Sequence, residues 1–385
     1  MRTILSLVRV SLLWCITLLL PGCIDAYMPD VISATKHYLV VDGSINSQGV
    51  TTINLSRTYD ISAKGLPPVE VAATVYIEEE GGARYPLPES TTKGTYTSAS
   101  LTLSPTKNYR LHIRTTGGKE YASNYVTPRS APPIDNVSWR TTDSGLTIYV
   151  NSHDETNATR YYRWAFEETW EIRPTLIASV EYVNRRVQEL QPPYPPVCWA
   201  TEKSSTIILG NTTSLAQDVV SDQLLRSLPT STDRLFIKYS MLVKQYAQSR
   251  EEYEYWSLLK KNTESIGSLF DPLPAQFTGN VRCLNDDTEL ALGYVGAGSV
   301  QEKRIFISRT QVPPAWRLST GYESCFPPDT VELKNVPSTF ANPVIVPVVP
   351  VFFKLGGPLR GYTIATIDCV DCRKRGSSVR PSFWQ

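Results

Sequence analysis

Alternating apolar and polar residues run through much of the chain and predict β-strands, because successive strand side chains point to opposite faces. Residues 50–57 and 71–78 alternate in this way. Glycine-containing turns at 80–83 and 117–118 separate the strands, as in β-hairpins. We therefore predict a first β-sandwich domain over residues 36–128.

A second series of strands follows a proline-containing linker at 130–133. Residues 161–172 show the clearest alternation, with an aromatic face and a polar face, which is typical of a sheet covered on one side. The aromatic face predicts core packing, with sugar stacking as the alternative. Residues 173–200 interrupt the series as a long excursion. We predict a C-terminal β-rich domain over residues 133–385, again sandwich-like.

One long helix is predicted, at about 249–266. Ser249 and Glu252 form an S-x-x-E capping box at its start. Apolar or small residues then recur every three or four positions and predict a buried stripe: Trp256, Leu259, Thr263 and Ile266. The predicted fold class is mainly β, with two consecutive β-sandwich (Ig/fibronectin-III-like) domains, the second elaborated with this helix and long loops.

The apolar stretch at 343–353 contains prolines at 347 and 350 that restrict its structure. Proline removes a backbone donor and breaks a helix, so Pro347 and Pro350 exclude a membrane helix. They also exclude a central strand, because a central strand needs hydrogen bonds on both sides.

The amino-terminal 22 residues have the features of a secretory signal peptide. Arg2 and Arg9 precede an apolar run at 10–20, which is too short to span a bilayer. Leu20-Pro21-Gly22-Cys23 resembles the lipobox of bacterial lipoproteins, in which the cysteine thiol is acylated. The resemblance implies a lipid anchor on Cys23 followed by a tether over 23–35. The alternative is an ordinary cleaved signal followed by an incidental cysteine.

Charge and composition exclude one class of partner and favour export. Without the signal peptide the chain has 36 basic and 37 acidic residues. A nucleic-acid-binding protein would carry a basic stripe, so we expect no nucleic acid partner. The chain contains 28 prolines and 21 tyrosines but only three methionines, which is typical of a turn-rich extracytoplasmic β protein.

Five cysteines after Cys23 are candidates for disulfides in an oxidising compartment. Their number is odd, so at least one thiol stays free or pairs with another molecule. Cys369 and Cys372 form a C-x-x-C motif, for which a redox pair or half a zinc site are the alternatives to structural disulfides. The candidates are Cys198, Cys283, Cys325, Cys369 and Cys372.

Catalytic motifs are not found in the sequence, and we predict no metal, no cofactor and no enzymatic activity. The sequence lacks G-x-S-x-G, P-loop and H-E-x-x-H motifs. Glu167 and Glu171 share a strand face about 13 Å apart, which exceeds the separation in glycosidase pairs, and Glu168 points to the opposite face. We expect these carboxylates to be solvated.

The proline-rich segment at 191–199 is the candidate contact loop. Polyproline segments are stiff, and a disulfide through Cys198 would hold this one in place. Contact with a receptor or ligand is one interpretation, and a structural strap over the second sandwich is the other. The residues proposed for contact are Pro193, Tyr194, Pro195 and Trp199.

Seven segments in this order resemble one family of Bacteroidota lipoproteins, domain of unknown function 4249. The segments are the lipobox, Val40–Ile45, Tyr161–Trp164, Tyr255-Trp256 before Phe270–Pro274, Gly279–Val281, Arg304–Ile307 and Asp371–Arg373. The family is associated with TonB-dependent outer-membrane receptors, but it implies no catalytic or binding residues.

Together these features lead us to expect a non-enzymatic lipoprotein of the outer membrane, anchored through Cys23 and facing either the periplasm or the cell surface. The resemblance implies an accessory or ligand-capture partner of a TonB-dependent receptor. A surface structural or adhesion module is the alternative, and a hydrolase without a recognisable motif ranks last.

Overall fold

A computed structural model of the chain describes residues 37–59, 65–264, 279–326 and 328–385. The predicted signal peptide, Cys23 and the tether lie outside these residues. The described chain is mainly β, in several sheets whose strands pair almost entirely antiparallel, which confirms the predicted fold class. None of the helices in these ranges combines the length and apolar character needed to cross a membrane.

The first core lies between two sheets built from the amino-terminal strands. One sheet has the order β18-β1-β2-β5 with β19 also on β1, and the other has the order β17-β7-β6-β3-β4. The strands are β1 (Leu39–Asn46), β2 (Gln48–Arg57), β3 (Thr74–Glu79), β4 (Arg84–Leu87), β5 (Thr95–Thr102), β6 (Tyr109–Arg114), β7 (Glu120–Ser123), β17 (Val281–Cys283), β18 (Ala291–Leu292) and β19 (Ala297–Gly298).

Strands β17 to β19 return to this first core from the part of the chain assigned by sequence to the second domain. Val281, Ala291 and Val295 are buried in it. Gly293 permits the return: it has φ +127°, and a Cβ there would lie 2.1 Å from the Val41 carbonyl oxygen. The first core therefore combines residues far apart in sequence, so a division at 128–133 does not separate the two cores.

The second core lies between two further sheets, with orders β13-β10-β16-β20 (β14 also on β10) and β15-β9-β8. The strands are β8 (Ile134–Thr142), β9 (Gly145–Asp154), β10 (Tyr161–Ile172), β13 (Cys198–Lys203), β14 (Ile208–Asn211), β15 (Asp218–Pro229), β16 (Lys238–Ala247) and β20 (Val300–Ser308). Strand β10 has the predicted bounds, and its aromatic face lies in the core: Tyr162 and Trp164 are fully buried.

The long helix, α1 (Arg250–Glu264), begins where the capping motif predicts. The Ser249 hydroxyl accepts from the Glu252 N–H at 3.1 Å. The stripe is less buried than predicted: Trp256 and Leu259 are half-buried and Thr263 is exposed, whereas Ile266 lies outside the described residues. The helix lies over the strands and does not enter a core. The residue of this helix that is buried is Glu252.

A third, smaller sheet with the order β21-β23-β22 lies at the carboxyl-terminal end. Its elements are β21 (Asp329–Glu332), α2 (Val336–Thr339), β22 (Ile345–Phe352) and β23 (Leu359–Thr366), and the hairpin β11 (Val180–Val183) and β12 (Arg186–Glu189) packs beside it. Strand β22 is an edge strand whose register shifts between Pro347 and Pro350. The prediction that the prolines exclude a central strand is confirmed.

Candidate functional site

The inter-core cleft is an open cavity of about 420 Å³ between the first and second cores. Strands β1 and β2 form one wall, and β10, β13, β16 and β20 form the other. It is lined by Asp42, Gly43, Ser44, Asn46, Val50, Thr52, Asn54, Arg163, Ala165, Phe166, Glu167, Lys203, Ser204, Lys244, Tyr246, Val300 and Glu302. Since both cores contribute side chains, the cleft exists only in the folded chain.

Alternation along β10 brings its polar side chains to this cleft. Tyr162 and Trp164 point into the second core, and the Trp164 Nε1–H donates to Gln245 Oε1 at 2.8 Å. Arg163 and Glu167 point the other way and line the cleft. The core interpretation of the aromatic face is therefore confirmed, and the polar face lines a cavity.

Arg163 is held between two aromatic rings. Its guanidinium carbon lies 4.2 Å from the Tyr246 ring centre and 4.6 Å from one ring centre of Trp256. Cation–π contacts of this kind fix the guanidinium plane. The Nε–H of Arg163 is buried and has no hydrogen-bond partner among the described residues, so this donor is unsatisfied.

Lys244 supplies a second fixed cation in the cleft. Its Nζ lies 3.1 Å from Glu302 Oε1. Burial by itself lowers the pKa of Lys244, but the hydrogen bond and the charge of Glu302 outweigh burial and raise the pKa above its usual value. Lys244 is therefore a permanent positive charge at neutral pH and is unsuited to transferring a proton.

An aromatic pocket of about 280 Å³ adjoins the cleft and shares Asp42 and Gly43 with it. The ring centre of Tyr255 lies 5.6 Å from that of Trp256 and 5.5 Å from that of Tyr294. Burial, followed by the charge of Asp42, raises the pKa of Tyr255 to about 12. An apolar pocket beside a charged cleft is the usual composition of a small-molecule site.

Glu252, on the buried side of helix α1, supports this region. Its side chain is 7% exposed, and the Gln248 amide donates to Oε1 at 3.3 Å. A Cβ at Gly296 would lie 2.4 Å from Glu252 Oε2, so the glycine makes room for the carboxylate. Burial raises the pKa of Glu252, and the charge of Arg163 only partly offsets that rise.

Replacing this buried carboxyl by an amide, Glu252→Gln, should change how stability depends on pH. The folded protein binds the Glu252 proton more tightly than the unfolded chain, whose glutamate pKa is about 4.3. Stability contributed by the protonated form is therefore lost as pH rises from about 4.3 through the raised pKa. Thermal unfolding between pH 4 and 7 should show this loss in the wild type and not in the variant.

Glu254→Gln is the matched control for that measurement, because Glu254 is an exposed carboxylate on the same helix, paired with Arg250 at 2.8 Å. The control should keep the wild-type pH profile. An unchanged pH profile in Glu252→Gln would contradict the raised pKa.

A larger cavity of about 680 Å³ lies beside linker residues 128–133 and the loop at 153–159. The charged groups there already hold the loop. Burial raises the pKa of Asp154, but hydrogen bonds from Thr156 and Thr159 outweigh burial and lower it to about 2. His153 Nδ1 lies 2.7 Å from Asp135 Oδ2. The inter-core cleft is the better candidate because an aromatic pocket adjoins it.

Glu168 corrects the prediction that the β10 carboxylates are solvated. Its side chain is buried and accepts from Arg226 at 3.2 Å, from the Tyr239 hydroxyl at 2.7 Å and from Arg234. Arg234 also pairs with Glu202 and lies over the Trp170 ring. Glu171 is buried too and pairs with Arg173. Both carboxylates are in structural ion pairs.

The cysteines form structural disulfides, which decides between the interpretations of the C-x-x-C motif. Cys198 pairs with Cys372, and Cys325 pairs with Cys369, so the two cysteines of the motif have different partners. Cys283 is a buried free thiol in the first core. Among the described residues, no group of three or more His, Cys, Asp or Glu side chains is placed to hold a metal ion.

The predicted contact loop lies away from the inter-core cleft. It borders a separate cavity of about 210 Å³ lined by Pro193, Tyr194 and Pro195. Tyr194 is half-buried against a small core, and Trp199 packs edge-on against Trp384 with ring centres 6.4 Å apart. These contacts favour the strap interpretation for the two aromatic residues. Receptor contact through the loop stays a prediction.

The sequence patterns predicted no cleft here, and Glu167 was considered only as one of a possible glycosidase pair. Lys244 and Glu302 lie in ordinary strands, and no motif distinguishes them. A signal did exist, because three segments that carry the family resemblance meet here: Asp42-Gly43 from β1, Arg163 from β10, and Tyr255-Trp256 from α1.

Two solved structures show a weak likeness to this chain. One is the structure described as manganese lipoxygenase of Gaeumannomyces graminis with a partial structure of zonadhesin of Komagataella pastoris (8% identity, TM-score 0.17, covering 57% of this chain and 91% of that chain). Another is chitinase ChiA74 from Bacillus thuringiensis (11% identity, TM-score 0.14, covering 51% and 29%). Similarity at this level supports no conclusion about fold or function.

Among curated proteins, none matches this sequence. A family model does match, and it spans residues 24–304, from directly after the predicted anchor cysteine to strand β20. The match covers most of the chain and includes every residue that lines the inter-core cleft. The chain therefore belongs to the family described as Domain of unknown function (DUF4249).

Proposed function

We propose that this protein is a non-enzymatic, lipid-anchored outer-membrane protein that captures a polar ligand in the inter-core cleft as an accessory partner of a TonB-dependent receptor. The observation that carries the proposal is the cleft itself. Arg163 and Lys244 present fixed positive charges there, Glu167 and Glu302 present carboxylates, and an aromatic pocket adjoins them.

The state of these groups favours binding over catalysis. Lys244 keeps its proton because its pKa is raised, and Arg163 is always protonated. A general acid or base needs a pKa near the working pH. Arg163 lines the cleft, so its guanidinium would attract an anionic or acceptor group of the ligand.

The location and the partner in this proposal derive from the lipobox at Cys23 and from the association of the family with TonB-dependent receptors. An acyl anchor on Cys23 would hold the cleft near the membrane, where a ligand could pass to a β-barrel. A surface structural or adhesion module is the competing function, and it requires neither a receptor nor a ligand in the cleft.

One preparation tests both parts of the proposal. Protein extracted from native membranes in mild detergent should begin at an acylated Cys23 and co-purify with a β-barrel receptor. Native mass spectrometry of the same sample should detect a bound small molecule that is lost from an Arg163→Ala variant. The loss follows from removing the cation.

Arg140→Ala is the matched control, because Arg140 also lies over a ring, that of Tyr149 at 4.9 Å, but does not line the cleft. The control should keep the ligand. Protein that purifies without a barrel would favour the adhesion alternative. An unmodified first residue in the intact mass would overturn the anchor.

A further inference from the structure

The hairpin that joins β22 to β23 ends in an exposed apolar tip, which we define as Phe352, Phe353 and Leu355. Phe353 is 70% exposed and Leu355 is fully exposed. The turn is tight: the Gly357 N–H donates to the Lys354 carbonyl at 2.8 Å, and Gly356 has φ +71°. This conformation suits glycine and places Leu355 at the apex.

Single exposed apolar side chains are normal on a protein surface, but several large ones close together usually mark an interaction site. We propose that the hairpin tip inserts into a lipid bilayer surface and forms a second membrane contact, separate from the acyl anchor. The proposal concerns a site outside the inter-core cleft and does not depend on ligand capture.

Electrostatics around the tip favour a membrane. Lys354 and Arg360 are exposed on either side of the turn. Glu332 lies opposite Gly361 in the register of β21 and β23 but pairs with Lys334 at 3.0 Å, so basic side chains outnumber this carboxylate. Apolar side chains flanked by basic ones are the usual composition of an interfacial anchor, since the cations meet anionic headgroups while the apolar groups enter the acyl boundary.

The size and shape of the tip argue against a second copy of the chain as the partner. Taking about 200 Å² for each large side chain, the three expose roughly 400 Å² together. A stable dimer buries about 800 Å² on each partner, with complementary surfaces. A projecting tip buries that area only in a protein pocket of complementary shape. Fluid acyl chains need no such pocket, because they adapt to the shape of the tip.

The anchor would bring the tip within reach of the same membrane. The stretch from Cys23 to His37 can extend at most about 50 Å, at the contour length of a polypeptide. A second contact on a molecule that is already anchored forms at a high effective concentration, so even a weak tip contact would be occupied.

The cysteine pattern allows a selective probe of the tip. Cys283 is buried and the other four described cysteines form disulfides, so a single new surface cysteine can be labelled. A nitroxide on Leu355→Cys, in acylated protein reconstituted in phosphatidylethanolamine–phosphatidylglycerol vesicles, should lie in lipid. Its collision rate with a water-soluble nickel chelate should fall on the order of tenfold below that of an exposed probe, because the chelate is excluded from the acyl region.

Leu66→Cys supplies that reference probe, because Leu66 is 92% exposed and stands outside the hairpin. Adding Phe352→Ser and Phe353→Ser should return the Leu355 probe to the nickel-accessible level of the reference. A tip probe as accessible as the reference in the unsubstituted hairpin would overturn the proposal and would point to a protein partner.

Failure of the insertion and failure of the anchor give different results in this experiment. If the protein floats with the vesicles but the tip probe stays in water, the acyl anchor is present and the hairpin tip does not insert. Protein without acylation that still floats, with the tip probe in lipid, retains the insertion alone.

Discussion

Replacing Cys198 and Cys372 together by serine should lower the free energy of unfolding by about 5 kcal/mol. This disulfide closes a loop with a sequence separation of 174 residues. A cross-link stabilises mainly by reducing the entropy of the unfolded chain, and the effect grows with the logarithm of loop length. Guanidinium chloride unfolding of the double variant measures the change.

The second disulfide provides the matched comparison, because Cys325 and Cys369 are separated by only 44 residues. Its double serine variant should lose about 4 kcal/mol, roughly 1 kcal/mol less than the first. Both pairs are buried, so burial does not explain the difference. An equal loss in the two variants, or the opposite order, would contradict an effect that depends on loop length.

The variant Glu168→Gln should lower the free energy of unfolding by about 3 kcal/mol. The amide removes the charge that compensates Arg226 and Arg234, and an uncompensated buried charge costs roughly 3–5 kcal/mol. The lower end of that range applies because Arg226 is one-third exposed and keeps part of its hydration. Urea unfolding at neutral pH gives the value.

Glu167→Gln tests whether the loss of stability in Glu168→Gln arises from burial of the carboxylate or from any charge on β10. Glu167 is the neighbouring residue, faces the inter-core cleft and is only half-buried. Its replacement should change stability by less than about 0.5 kcal/mol, as at ordinary surface sites. Similar losses at the two positions would argue against a buried ion cluster around Glu168.

The Tyr239 hydroxyl provides a spectroscopic signature of the same cluster. Burial, together with the adjacent Glu168 carboxylate, raises the pKa of Tyr239 well above its usual value. Arg234 also keeps a raised pKa: burial opposes its charge, but Glu168 and Glu202 outweigh burial. The Tyr239 hydroxyl therefore stays protonated and Arg234 stays charged throughout the pH range in which proteins are stable.

Sequence patterns were sufficient wherever a strand alternates without interruption. Strand β10 has the predicted bounds because its aromatic residues occupy every second position up to Phe166. The exclusion of a central position for β22 followed from Pro347 and Pro350, since the missing backbone donors are a local property. The start of α1 followed from Ser249, because helix capping also depends only on neighbouring residues.

Strand β15 was not predicted, although it is 12 residues long. Its register against β9 shifts between Val220 and Gln223 and again between Leu224 and Arg226. Each shift inserts unpaired residues and changes which face the next side chain occupies, so the period of two is lost from the sequence. Strand β10 keeps its register, but Glu168 occupies a buried position at which the alternation predicts an apolar residue.

By itself, the sequence determined the β-rich fold class, the start of the helix, the exclusion of a central position for β22 and membership of the family, because each depends on neighbouring residues or on motif order. Only the tertiary structure decided the disulfide partners, the burial of Glu168, the return of β17 to β19 to the first core, and the inter-core cleft. Those features join residues distant in the chain, and a linear pattern carries no information about which distant residues meet.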